Sequence, residues 1–160
     1  MDSVIVFLAN YLIFAVGLLA VLVAYKTKSR REFILAVALA GILALDLSLI
    51  AGALYYNPRP FASQGIEPLV QHVADNGFPS QHTLMAMALT AVIYFYRRRL
   101  AAAAFVLTLL VGAGRAWAHV HSWVDILGGL ALGAIAGYAG VILAKLILSR
   151  FNAKRPEGRR

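Results

Sequence analysis

The chain has 160 residues, 61% of them hydrophobic and 14% charged, with a net charge of +8 and no cysteine. Soluble domains are about 45–50% apolar and about 25% charged, and one this small could not hide so much apolar surface. The composition excludes a soluble nucleic-acid-binding protein, disulfides and thiolate chemistry, and implies one all-α integral membrane domain at residues 1–151 with a basic tail at 152–160.

Ser3 to Tyr25 is uncharged, enough helix to cross a hydrocarbon core of about 30 Å. Lys26, Lys28, Arg30 and Arg31 follow it rather than precede it, which favours a retained span over a cleaved leader. Phe33 to Tyr56 reads as a second span, interrupted only by Asp46, for which a structural polar contact is expected. A turn-rich stretch, Asn57 to Phe78, comes next, followed by two short spans, Pro79 to Tyr96 and Leu100 to Trp117. The fifth span runs from Ser122 to Leu148, giving a polytopic bundle of five transmembrane helices, or six. Gly129, Gly133 and Gly137 repeat every four residues and predict close helix packing within the bundle.

With five spans, thirteen of the fifteen Lys and Arg residues fall on one side, which the positive-inside tendency makes cytoplasmic. The N-terminus is then outside, in the cell (inner or plasma) membrane. Arg59 and Arg115 remain on the outer side with all four histidines and with Glu67, Asp75, Ser80 and Asp125. Titratable groups at a membrane boundary are costly, so their gathering in three segments predicts a site on the extracytoplasmic face.

Pro79 is suited to the first position of a helix whose outward amides favour an anion. Ser80 adds a hydroxyl, and Arg59 and Arg115 offer the planar fork that grips phosphate oxygens. His121 and Asp125, four apart, share a helix face, where the carboxylate can fix the imidazole tautomer. His121 is then a candidate nucleophile and His82, on another helix, a candidate acid. The set needs no metal and no cofactor. His119 reads as a boundary residue, while His72 and Asp75 shape the loop or touch a second phosphate.

Arg59-Pro60, Pro79-Ser80-Gln81-His82, and Arg115 followed by His121 and Asp125 resemble, in order, the three signatures of the type-2 phosphatidic acid phosphatase superfamily. The run from His72 through Asp75-Asn76 to Phe78-Pro79-Ser80 is similar to the bacitracin-resistance type of undecaprenyl pyrophosphate phosphatase within it. The resemblance implies a metal-independent phosphatase with a phosphohistidine intermediate: His121 as nucleophile, Asp125 as its partner, His82 as general acid, and Arg59, Ser80 and Arg115 as phosphate ligands. Undecaprenyl pyrophosphate held in the bilayer is the implied substrate. Phosphatidic acid, phosphatidylglycerol phosphate and diacylglycerol pyrophosphate are the alternatives, and a small proton-coupled transporter is a distant one. The sequence departs from the family at Gly52, where a lysine usually stands, and Gln81, Asn57 or a backbone amide is expected to substitute for that cation. No oligomeric state is implied.

Overall fold

The computed structural model describes residues 1–153; residues 154–160, most of the expected basic tail, lie outside the described residues. The described chain is helical, with a single isolated β-bridge between Pro58 and Asn76. The helices are α1 (Asp2–Asn10), α2 (Leu12–Lys26), α3 (Arg30–Leu54), α4 (Pro60–Gln64), α5 (Gln81–Tyr96), α6 (Arg98–Trp117) and α7 (Trp123–Ala153).

The expected first span is broken: α1 and α2 meet at Tyr11 with a bend of 41°. The bend lays α1 against α6 at Gly114, where an added methyl would come 2.7 Å from the Ala9 nitrogen. Judged by length and apolarity, α3, α6 and α7 each suffice to cross a membrane, and the bent pair is a fourth candidate. The expected third span, α5, has 16 residues, about 24 Å of helix, and falls short on length alone.

Helix α5 occupies the middle of the bundle, and Thr83, Leu84, Ala86, Ala88, Thr90, Val92 and Ile93 are all buried there. It packs against α7 through the glycine repeat, with Gly129, Gly133 and Gly137 facing the backbone of Ser80, Leu84 and Ala88. One turn on, Gly140 faces Ala36 and Ala40 of α3, so the small-residue face of α7 is used within the bundle. Val16, Val23, Phe33, Val92, Ile93 and Val141 form the main apolar core. Large apolar side chains such as Phe14, Leu18, Leu49, Leu54 and Leu146 point outward, as a protein dissolved in lipid requires. Trp117, Trp123, Tyr55 and Tyr56 are exposed near the site end, where an aromatic belt is expected. At the opposite end, Tyr96 donates to Glu32 Oε1 (2.9 Å) and Arg97 Nη2 to the Lys26 carbonyl (2.6 Å). Asp46 does not meet the polar contact expected of it: it is exposed on α3, and no ion pair reaches it among the described residues.

Candidate active site

The segment after α3, the start of α5 and the α6–α7 turn meet around a cavity of about 350 Å³. Arg59, His82, Arg115 and His121 all line it, together with His72, Asp75, Asn76 and Gln81, while Ser48, Leu49 and Gly52 form an uncharged wall on α3. Three stretches far apart in the chain therefore share one pocket.

The α6–α7 turn sets the central imidazole. His119 adopts a left-handed φ of 62°, and the amides of Val120 and His121 both donate to the Arg115 carbonyl (3.3 Å each). His121 precedes α7 rather than lying on it. Ser122 and Asp125 form a reciprocal cap on α7: the Ser122 amide donates to Asp125 Oδ2 (2.7 Å) and the Asp125 amide approaches Ser122 Oγ (3.4 Å). The same carboxylate oxygen lies 3.5 Å from His121 Nδ1, which has no closer partner. His121 is 4% exposed and Asp125 is fully buried. On the other side of the ring, Arg59 Nη1 sits 3.3 Å from Nε2. A guanidinium can only donate, so Nε2 offers its lone pair and Nδ1 carries the proton toward Asp125. Burial lowers the His121 pKa, Arg59 and Arg115 lower it further, and Asp125 opposes them.

Arg59 is buried and heavily committed: Nε donates to Asp75 Oδ1 (2.7 Å), Nη1 to the Val120 carbonyl (2.8 Å) and Nη2 to the Asn76 carbonyl (3.5 Å). Burial works against ionisation of Asp75, but the hydrogen bond and charge of Arg59 prevail and hold its carboxyl below the usual range. Arg115 is 2% exposed; Nη1 donates to Asn10 Oδ1 (3.2 Å), and Nε is buried without a partner. An unsatisfied guanidinium N–H in a buried site marks a place for an anionic ligand.

Four of the expected residues have the following places and partners. Pro79 does not begin α5; Ser80 is its N-cap and Gln81 its first residue. Ser80, expected on phosphate, is fully buried outside the cavity lining: its Oγ lies 3.1 Å from Thr83 Oγ1 and its amide donates to the Asp125 carbonyl (3.0 Å). Asn57, expected to contact substrate, spends its amide on Ser122 Oγ (2.7 Å) and Asp125 Oδ1 (2.8 Å). Asp75, expected to shape the loop or to touch a second phosphate, pairs with Arg59. Gln81 and His72 are exposed and line the cavity, whereas His119 and Glu67 are exposed without lining it.

Sequence reasoning missed Asn10 and Asn76. Asn76 joins the loop to α3: its Nδ2 donates to the carbonyls of Gly52 (2.8 Å) and Tyr55 (2.9 Å), and its Oδ1 accepts from the amides of Asn57 (2.9 Å) and Phe78 (3.0 Å). The adjoining Gly77 is required by space, because a methyl there would meet Asp125 Oδ2 at 2.8 Å.

The profile of the PAP2 superfamily matches residues 31–148. The chain belongs to the PAP2 superfamily. It is 34% identical over 140 residues to undecaprenyl-diphosphatase BcrC of Bacillus subtilis, covering 86% of this chain and 72% of that one. It is 33% identical over 139 residues to a Bacillus licheniformis protein named bacitracin transport permease protein BcrC, covering 85% and 68%. Among solved structures, Aquifex aeolicus LpxE superposes with a TM-score of 0.65 at 25% identity, covering 88% of this chain and 84% of that one. The chain is thus a multi-pass membrane protein of a lipid phosphatase family.

Proposed function

We propose that this protein hydrolyses undecaprenyl pyrophosphate to undecaprenyl phosphate and inorganic phosphate through a phosphohistidine on His121, without a metal or cofactor. The observation that carries this reading is one imidazole held between a buried carboxylate on Nδ1 and a cavity flanked by two arginines on Nε2. The name of the Bacillus subtilis relative supports the choice of lipid.

The terminal phosphate draws the Arg59 and Arg115 guanidinium groups onto its oxygens, which frees the Nε2 lone pair. Nε2 then attacks phosphorus, the bond to the bridging oxygen breaks, and His82 protonates the departing lipid phosphate. Asp125 stabilises the ring as it gains positive charge. Water next attacks the phosphohistidine with His82 as base, releasing inorganic phosphate and restoring His121. Gln81 and the first-turn amides of α5 complete the cradle. Phosphoryl transfer of this kind depends chiefly on positioning and charge stabilisation, and these groups supply both.

The distribution of basic residues supports a five-span chain in the cell membrane with N-terminus and mouth outside and C-terminus cytoplasmic. The prenyl tail then stays in the bilayer while its head enters the cavity. In detergent, the wild type should release phosphate with EDTA present and His121→Ala should release none. Right-side-out vesicles should hydrolyse substrate added outside. An active His121→Ala, or loss of activity on chelation, refutes the mechanism, and preference for phosphatidic acid in a lipid panel refutes the substrate.

A further inference from the structure

We propose that His72 is the ligand for the second phosphate of the substrate, so that it makes the site select diphosphates over monophosphates; this rests on the phosphatase reading above. His72 lines the same cavity as His121, with the two ring centroids 6.1 Å apart and the planes at 76°, so the rings occupy adjoining walls of one pocket. Among the described residues lining the cavity, the mechanism above leaves His72 as the histidine without a task. The α3 wall of Ser48, Leu49 and Gly52 is uncharged. Of the two arginines, Arg59 already shares its charge with Asp75 at 2.7 Å, and Arg115 is tied to Asn10 deeper in the bundle.

The surroundings of His72 couple its charge to its ligand. From the segment after α3 it faces Arg59, from α6 Arg115, from the α6–α7 turn His121, and from its own loop Asp75; His82 of α5 lines the same cavity. Burial and the charges of Arg59, Arg115 and His121 lower its pKa, and Asp75 alone raises it. In the empty site the ring is therefore neutral near pH 7. A second phosphate reverses the local field, protonates the ring and gains a charge-assisted hydrogen bond.

The test uses the full chain in detergent with farnesyl pyrophosphate and farnesyl phosphate, which share one tail. The readout is the ratio of their kcat/KM values. His72→Gln should lower this ratio about tenfold, the worth of one hydrogen bond to a charged group. His72→Lys should restore it, and should keep it at alkaline pH, where the wild type loses it. A ratio unchanged in His72→Gln, or parallel loss on both substrates, overturns the proposal. A wild type that cleaves neither compound overturns the phosphatase reading itself, and the subsite with it.

Discussion

Asp125 serves two tasks whose separation tests the catalytic reading. Its carboxylate caps α7 through the Ser122 amide (2.7 Å), accepts from Asn57 Nδ2 (2.8 Å) and faces His121 Nδ1 (3.5 Å). Asp125→Ala leaves two donors unsatisfied in or near a buried site and removes half of the cap. The stability cost should be about 2–5 kcal/mol, from about 0.5–2 for the cap lost at the Ser122 amide and about 1–3 for the stranded Asn57 amide. The same change strips the imidazole of the group that orients it and stabilises its charged form. A hydrogen bond to a charged group is worth about 1.5–3 kcal/mol, so kcat should fall about 10- to 150-fold. Ser122→Ala provides the control, because it removes the other half of the cap and the Oγ that Asn57 binds but leaves the carboxylate facing His121. It should lower the melting temperature, at a cost of about 1 kcal/mol, while kcat stays within about threefold of wild type. Phosphate-release kinetics and thermal unfolding in the same detergent measure both quantities. Equal kcat losses in the two variants refute the reasoning, because fraying of α7 would then explain them. A kcat for Asp125→Ala within threefold of wild type refutes the orienting role outright.

The direction of the His121 shift fixes the acid limb of activity. In the proposed mechanism the nucleophile is the neutral ring, and its lowered pKa keeps it neutral below the ordinary histidine value of about 6.5. The acid limb of kcat/KM should therefore be centred below that value; a limb centred above it contradicts the burial argument. Asn10 is the side chain holding Arg115, whose Nε is otherwise unpartnered, so Asn10→Ala should raise KM several-fold and change kcat less. A pure kcat loss with unchanged KM would show that the bend in the first span acts by another route.

The all-helical membrane character was legible because long uncharged runs end at basic clusters, and lipid tolerates few other patterns. The break at Tyr11 was not. No proline or glycine marks it, and its counterpart, the notch at Gly114 on α6, lies about a hundred residues away in the chain. The same contrast divides the site. Arg59, His82, Arg115, His121 and Asp125 stood out because a charged or titratable group at a membrane boundary needs a reason to be there. Asn10 and Asn76 are neutral amides, common in turns, and their roles exist only in partners 105 and 24 residues away. Ser80 and Asn57 lie near the site, and their hydrogen bonds go to protein partners. Thr83, Ser122 and Asp125 compete for their hydrogen bonds, and sequence spacing does not reveal that competition.

What holds His82 and His121 at one cavity is helix packing together with a single backbone hydrogen bond. His82 is the second residue of α5, and His121 and Asp125 bracket the start of α7, so their separation depends on how closely those helices approach. The glycine face of α7 lets its backbone lie against that of α5 from Ser80 to Ala88, where any larger residue would drive the helices apart. The Ser80 amide bonded to the Asp125 carbonyl (3.0 Å) then locks the two helix starts in register. A nucleophile and an acid that must flank one phosphorus tolerate little drift, about an ångström before rate suffers. In the proposed mechanism the glycine repeat, which carries no chemistry of its own, is therefore as much a part of the catalytic geometry as the arginines.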